Sequence, residues 1–240
     1  MARPTNTSGK KKNNVRPAST RPAGFYYVLG AIAVIGASIL GYSMMRKPAG
    51  VVATDAVVPV TPIGKAEGYL IGKPDAPVKI LEWADFECPG CGNFANVTEP
   101  DIRKRLIETG LANMTFYDFP LPQHKNSEAA SNAAACAADQ GKFWEMHDAI
   151  FAAQDQWNTE ATDNPKPFLQ AYAERIGLNV GTWETCFNSR KHQGRILANA
   201  AEGQQRKVNS TPTFIIGDKM YTQGMTYDAM KAIVDSATKK

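Results

Sequence analysis

Two cysteines separated by two residues, Cys88 and Cys91, are the side chains in this 240-residue chain best suited to chemistry. They follow the apolar run 78–84, which is typical of a buried strand, and precede apolar residues at helical spacing in 94–107. At a strand-to-helix junction, unpaired backbone N–H groups and the helix dipole favour an anion. We therefore expect Cys88 to ionise at neutral pH, while Cys91, one turn deeper, keeps its proton and attacks a mixed disulfide.

The residues between the cysteines fit this interpretation. Pro89 suits the first position of a helix, because the N–H that it lacks would be unpaired there, and Gly90 offers no side-chain donor. A lone CxxC pair can also be half of a zinc site or an inert disulfide. A four-cysteine site normally has a second close pair, whereas Cys136 and Cys186 stand 50 residues apart. The spacing favours a redox pair and no metal.

The elements around the pair predict an α/β domain. A strand over 78–84, a helix over 91–110 and a strand over 111–121 form a βαβ unit. Two short strands near the end, joined at Gly217-Asp218, form a hairpin that the last helix, 226–238, covers. Between these parts lie five predicted helices, over 126–141, 142–154, 166–177, 180–189 and 193–208.

Three motifs carry a resemblance to a known family. They are residues 82–91 (EWADFECPGC), residues 136–144 (CAADQGKFW) followed by His147-Asp148, and residues 211–214 (TPTF). Together they resemble the DsbA-like thiol-disulfide oxidoreductases of the thioredoxin superfamily, over roughly residues 66–240. The resemblance implies a thioredoxin fold with a helical insertion at about 124–207.

The resemblance also implies roles for single residues. Cys88 matches the nucleophile, Cys91 the resolving cysteine, and Thr211-Pro212 the loop whose proline is cis beside the active site. The backbone of Thr211 would pair with a bound substrate strand. An ordinary turn before a strand is the alternative interpretation of Thr211-Pro212.

The resemblance places Glu82 beneath the cysteine pair as a buried acid. Burial would raise the pKa of Glu82, so that this carboxyl could shuttle the proton of Cys91. An exposed glutamate on an edge strand is the alternative. Asp85 and Glu87 are expected to place negative charge near Cys88 and to oppose its ionisation. The family's stronger oxidants have a histidine where Gly90 stands, so the direction of electron flow stays open.

The remaining candidate residues are interpreted structurally. Cys136 and Cys186 lie on separate predicted helices, either as a structural disulfide or as two buried free thiols. His147 lies in a helix with an aromatic face (FWEMHDAIF), which is typical of a core. No phosphate-binding glycine motif is present, and we expect no cofactor.

The first 65 residues predict a membrane anchor. Residues 1–24 are polar and basic and should form a disordered cytoplasmic tail. The uncharged run 25–45 is long enough for a transmembrane helix, and residues 46–65 read as an extended linker to the domain at 66–240. Six positive charges precede the run, so the positive-inside rule places the domain outside the cytoplasm. A cleaved signal peptide is the alternative, although its apolar region should be shorter.

The distribution of charge along the chain limits the classes of partner that the protein can bind. Residues 1–47 contain eight Lys/Arg and no acid, so residues 48–240 have 19 basic and 23 acidic residues, a formal charge of −4. A nucleic-acid partner is therefore not expected. We expect cysteine-containing client proteins, a DsbB-like membrane protein that reoxidises the pair, and lipid around the anchor. The alternatives are a reductase or isomerase, and a metal-binding domain that uses Cys88 and Cys91.

Overall fold

The computed structural model describes residues 53–55, 65–222 and 224–238, with five separate positions between 27 and 38. The predicted tail, and most of the predicted transmembrane span and linker, lie outside the described residues. In the part of the chain that the structure describes, no helix has the length and apolar character needed to cross a bilayer. The chain divides into two units, Met1–Gly50 and Val51–Lys240, and the second unit carries the sheet.

The described residues form six strands: β1 (Ala53–Asp55), β2 (Tyr69–Ile71), β3 (Val78–Ala84), β4 (Ala112–Asp118), β5 (Thr213–Ile216) and β6 (Lys219–Thr222). They make one sheet in the order β1-β6-β5-β3-β4-β2. Among these strands, β3 and β4 are parallel and the other neighbours are antiparallel. The apolar run that predicted a buried strand is the central strand β3, and the predicted βαβ unit and hairpin are present.

The edge strands β1 and β2 were not predicted. Each has three residues, which is too short for an alternating pattern to show in the sequence. β1 lies in the range expected to be linker and pairs with β6. The thioredoxin-type sheet therefore extends by one strand on each side beyond the predicted elements.

The helix that begins after Cys88 and contains Cys91 is not a regular α-helix along its length. It begins as α1 (Pro89–Asn93), passes through a π-helical turn at Phe94–Thr98, continues as α2 (Glu99–Ile102) and ends in a second π-helical turn at Arg103–Ile107. Pro100 lies in the first turn of α2, where its missing N–H is tolerated. The final helix, α9 (Tyr227–Ala237), covers the sheet as predicted.

The predicted helical insertion lies between β4 and β5. One short helix, Gln154–Trp157, was not predicted, because the predicted helix over 142–154 ends where this helix begins. The six helices of the described insertion are α3 (Ser127–Ala138), α4 (Phe143–Ala152), α5 (Gln154–Trp157), α6 (Lys166–Arg175), α7 (Val180–Asn188) and α8 (Gln193–Gln205). A disulfide joins Cys136 of α3 to Cys186 of α7, with a Cα–Cα distance of 5.8 Å.

The register of the sheet sorts its side chains into two faces. Glu82 on β3 pairs with Phe116 on β4 and Phe214 on β5, so all three lie on one face with Ile80. Trp83 lies on the other face. Glu82 is 2% exposed on the central strand, which excludes the alternative of an exposed edge position.

We predict that replacing both Cys136 and Cys186 by alanine lowers the free energy of unfolding by about 4 kcal/mol, because the bond closes a loop of 50 residues in the unfolded chain. Urea unfolding of the oxidised protein measures the difference. The matched control replaces Cys88 and Cys91 by alanine, which also removes two cysteines but leaves the structural bond intact. Equal unfolding free energies for the two double variants would contradict the prediction.

Candidate active site

Cys88 lies where β3 has ended and α1 begins. Its backbone is extended (φ −67°, ψ 122°), and the helix starts at the next residue, Pro89. The N–H of Cys88 donates to the carbonyl of Asp85 at 3.0 Å, and the carbonyl of Cys88 accepts from the N–H of Gly92 at 3.0 Å. The strand-to-helix junction expected from the sequence therefore places the first cysteine at the helix cap and the second, Cys91, inside the helix.

The sulfur of Cys88 is held in an environment that stabilises its charge. A hydrogen bond from the Cys91 thiol lowers the pKa of Cys88 to about 5, and the N–H groups of Cys91 and Gly90 contribute in the same direction. Partial burial opposes this shift. When protonated, the Cys88 thiol donates to the carbonyl oxygen of Thr211 at 3.3 Å. Cys88 is thus the thiolate of the pair at neutral pH.

Cys91 has the opposite character. It is 1% exposed, and burial raises its pKa well above the ordinary value, with its hydrogen bond to Cys88 acting in the same direction. Both cysteines are reduced in this structure. The two sulfurs therefore hold different protonation states over a wide pH range, as a nucleophile and a resolving thiol require.

The loop before β5 lies against the cysteine turn. The Thr211-Pro212 peptide bond is cis, as the resemblance implied. A Cβ atom on Gly90 would lie 3.3 Å from Cδ of Pro212 and 3.6 Å from Sγ of Cys88. Because that space is tight, the small residue at position 90 allows the loop and the turn to approach each other closely.

The carboxylates of Asp85 and Glu87 accept hydrogen bonds from the helical insertion. Asp85 accepts from the Leu121 N–H at 2.7 Å and the Ser127 hydroxyl at 2.5 Å, and it is hydrogen-bonded to His124. Glu87 accepts from backbone N–H groups of Asn126 and Thr159. Both carboxylates are buried, and their hydrogen bonds fasten the cysteine turn to the insertion. The expected opposition of these acids to the Cys88 thiolate stays a prediction.

The sequence did not predict that Gln154 contacts the cysteine turn. Its Nε2 donates to the carbonyl of Phe86 at 2.7 Å and to the carbonyl of Cys88 at 3.0 Å. A Cβ on Gly92 would come within 2.7 Å of Oε1 of Gln154, so the glycine makes room for this side chain. A single glutamine 66 residues from Cys88 gives no local signal of this contact.

Beneath the pair, the carboxyl of Glu82 is fully enclosed. Burial raises its pKa well above the ordinary value, and the nearby Glu99 carboxylate adds to the effect. The Glu82 carboxylate in turn raises the pKa of Cys91. The structure therefore brings Glu82, Cys88, Cys91, Thr211 and Pro212 into one site.

The metal-binding alternative was tested against the positions of the ligand atoms. Within the described residues, one group of three His, Cys, Asp or Glu side chains has its ligand atoms close together, namely Cys136, Cys186 and His192. The two sulfurs of that group are joined in the disulfide. Cys88 and Cys91 do not belong to such a group of three.

A thioredoxin-type sheet with a helical insertion and a CPGC pair at a helix start defines the class of this protein: an α/β thioredoxin-fold domain with a dithiol site. A family model described as Thioredoxin matches residues 65–236, and the chain belongs to that family.

Curated relatives include two kinds of protein. The chain is 34% identical over 184 residues to the Na(+)/H(+) antiporter NhaA 3 of Salinispora tropica, over 76% of this chain and 26% of the antiporter. It therefore spans about a quarter of that relative. It is 26% identical over 172 residues to the probable disulfide bond formation protein D of Bacillus anthracis, over 71% of this chain and 78% of that protein.

Similar solved structures include DsbA proteins. The alpha-DsbA1 of Wolbachia pipientis superposes with a TM-score of 0.65 at 22% identity, covering 74% of this chain and 94% of that one. BdbD of Bacillus subtilis superposes with a TM-score of 0.63 at 22% identity, covering 80% of this chain and all of that one. At this identity the likeness establishes the fold, and the predicted DsbA-like architecture is confirmed.

We predict that Cys91→Ala raises the pKa of Cys88 from about 5 by more than one unit, since the largest stabilising contribution comes from the Cys91 thiol. The rate of alkylation by iodoacetamide, followed against pH, gives this pKa. Cys91→Ser keeps a hydroxyl donor and serves as the control, with a smaller rise expected. A Cys88 pKa that stays near 5 in Cys91→Ala would show that the helix start alone stabilises the thiolate.

We predict that Gln154→Met lowers the free energy of unfolding by about 1–2 kcal/mol, because the Phe86 carbonyl loses its Gln154 donor and the Cys88 carbonyl keeps only the Gly92 N–H, while the side-chain volume is kept. Chemical denaturation measures the change. Gln156→Met, at an exposed position of the same short helix, is the matched control. If the two variants unfold with the same free energy, Gln154 does not hold the turn.

Proposed function

We propose that this protein is an extracytoplasmic thiol-disulfide oxidoreductase that introduces disulfides into secreted or envelope proteins. One observation carries the proposal: the sulfur of Cys88 has a lowered pKa and lies against the Thr211 carbonyl, while the sulfur of Cys91 stays protonated and buried. The name of the Bacillus anthracis relative, a probable disulfide bond formation protein, agrees with this reaction.

The first step of the reaction breaks the Cys88–Cys91 disulfide. A client thiolate attacks Sγ of Cys88, a client–Cys88 bond forms, and Cys91 leaves and takes up a proton. Sγ of Cys88 is the more accessible sulfur, because Cys91 is buried behind it. The attack is therefore directed to Cys88.

The second step releases the oxidised client. A second client thiolate attacks the client sulfur of the mixed disulfide, the client disulfide forms, and Cys88 departs as a thiolate. A leaving thiol of low pKa departs faster, and the pKa of Cys88 near 5 suits this role. The protein has then gained two electrons, which a DsbB-like membrane partner would remove.

The lowered pKa also bears on the direction of electron flow. A thiolate that is stabilised in the reduced protein favours the reduced form and makes the disulfide form a stronger oxidant. This argument favours oxidation of clients over their reduction or isomerisation. No cofactor takes part in the proposed reaction.

The location is proposed on two grounds. A disulfide such as Cys136–Cys186 persists in oxidising compartments and is rare in the cytosol. The uncharged run 25–45, preceded by basic residues, suits an anchor with the N-terminus in the cytoplasm. We accordingly propose a single-pass protein that is held by membrane lipid and carries its catalytic domain outside.

We predict that Cys91→Ala accumulates mixed disulfides with client proteins on Cys88, since the resolving sulfur is absent, and that Cys88→Ala accumulates none. Non-reducing electrophoresis after acid quenching and alkylation detects the adducts, with the Cys136→Ala/Cys186→Ala variant as a control that retains the CPGC pair. Absence of adducts in Cys91→Ala, while the wild-type protein oxidises a reduced test protein, would contradict the assigned roles.

A second measurement, the reduction potential of the wild-type Cys88–Cys91 pair, decides whether the protein oxidises or reduces its clients. Equilibration with glutathione buffers gives this potential. A value near that of DsbA, about −120 mV, supports oxidation of clients, whereas a value near that of thioredoxin, about −270 mV, would assign the protein to reduction.

A further inference from the structure

The buried carboxyl of Glu82 has neighbours to which the proposed reaction assigns no role. Glu99 is 1% exposed at the start of α2, and His147 of α4 is 1% exposed. Oε2 of Glu99 and Nε2 of His147 are 3.8 Å apart. Neither residue was assigned a chemical role from the sequence.

These groups share an unusual feature. Among the described residues, three buried polar atoms of this region have no hydrogen-bond partner: Oε2 of Glu82, Oε2 of Glu99 and Nε2 of His147. A buried unpaired polar atom is costly, so a cluster of three indicates a place where protons are held or exchanged. The cluster borders Phe116, which pairs with Glu82 in the sheet and contacts the His147 ring edge-on at 5.3 Å.

The cluster reaches the surface through two charged side chains. Arg103 donates from Nε to Oε1 of Glu99 at 2.7 Å, and its Nη1 and Nη2 donate to the two oxygens of Asp148 at 2.9 and 2.8 Å. Nδ1 of His147 is hydrogen-bonded to Asp148 at 2.8 Å. The Asp148 side chain is 54% exposed and lines an open cleft with Arg103.

The groups that face Glu82 have opposing effects on its proton. Glu99 is a like charge that favours the protonated carboxyl, and Arg103 is a cation that favours the carboxylate. Cys91 is the thiol on the other side, whose pKa the Glu82 charge raises. Glu99 itself is paired with Arg103 and faces His147.

We propose that Glu99 is a positioning residue for the exchange reaction: its carboxylate, which Arg103 holds in place, keeps a proton on the buried carboxyl of Glu82, and Glu82 delivers that proton to Cys91 as the disulfide opens. Glu82 regains a proton from solvent by way of His147 and Asp148. This proposal rests on the function proposed above and names the group that keeps its proton donor protonated.

The proton balance has three steps. When a thiolate attacks Cys88, the Cys88–Cys91 bond breaks, and the proton of Glu82 moves to the sulfur of Cys91. Two negative charges, on Glu82 and Glu99, then lie in a buried site. Because like charges at such a site disfavour full ionisation, Glu82 takes up a new proton from water. On reoxidation Cys91 loses its proton, and one proton is released to solvent, because Glu82 is already protonated.

The test is a single-turnover reduction of the oxidised full-length protein by dithiothreitol between pH 5 and 9, with the rate corrected for the dithiothreitol thiolate. In Glu99→Gln the like charge is gone, and we expect the pH at which the rate falls to move down by about one unit. Above that pH the rate of the variant should be about tenfold lower than the rate of the wild-type protein. A tenfold loss is smaller than the full contribution that general-acid catalysis makes to a rate. Glu99→Asp should restore part of the difference.

The matched control is Asp101→Asn. Asp101 lies on the same short helix, its side chain is 55% exposed, and it is 4.0 Å from Arg105. Removing its charge should leave the pH profile unchanged. In a Glu82→Gln background, Glu99→Gln should have no further effect, because Glu99 acts through Glu82. An equal effect in both backgrounds would show a merely structural role and overturn the proposal.

A spectroscopic measurement keeps the proposal testable if Glu99→Gln does not fold. In the wild-type protein with labelled glutamate, the C=O stretch of a protonated carboxyl should be visible by infrared difference spectroscopy at pH 7, and Glu82→Gln should abolish it. Its absence from the wild-type protein would overturn the proposal. If the wild-type protein does not exchange with dithiothreitol, the proposed function fails; if it exchanges and Glu99→Gln has the wild-type profile, only the present inference fails.

Discussion

The hydrogen bond from the Cys91 thiol to the Cys88 sulfur is the interaction on which the rest of the site depends. It is the largest contribution that lowers the pKa of Cys88, and the same bond helps to raise the pKa of Cys91. This contact, together with the burial of Cys91, separates two chemically identical side chains into a thiolate and a thiol. The strand end, Pro89 and the small residue at position 90 all serve to hold the two sulfurs in this arrangement.

The helical insertion contributes to the geometry of this contact although it lies far away in the sequence. Backbone N–H groups and a hydroxyl of the insertion donate hydrogen bonds to the carboxylates of Asp85 and Glu87. The Gln154 amide donates to two carbonyls of the cysteine turn. These bonds hold the turn from both of its ends. A thioredoxin-type sheet alone would leave the same polar groups to water, so the insertion is part of the site.

The central part of the fold could be predicted because its signals are local. The apolar run of β3, the helical spacing after Cys91 and the turn at Gly217 each lie within a few residues, and the family motifs added the cis proline and the insertion. What could not be predicted depends on contacts between distant segments. Gln154 is hydrogen-bonded to Cys88, 66 residues away in the sequence. The role inferred for Glu99 depends on Glu82 and His147, which only the fold brings near it. The three-residue strands β1 and β2 were missed because their pairing partners, rather than their own residues, define them.

The position of Glu82 follows from the sheet itself. Its register with Phe116 and Phe214 on a central strand leaves no route for its carboxyl to reach water directly. A lone carboxylate at such a position is strongly disfavoured, so the residue must hold a proton or share one with a neighbour. The enclosure that keeps a proton on Glu82 is the same enclosure that keeps one on Cys91. In the proposed exchange reaction a proton moves onto Cys91 each time its bond to Cys88 opens, and a buried acid near that sulfur meets this requirement.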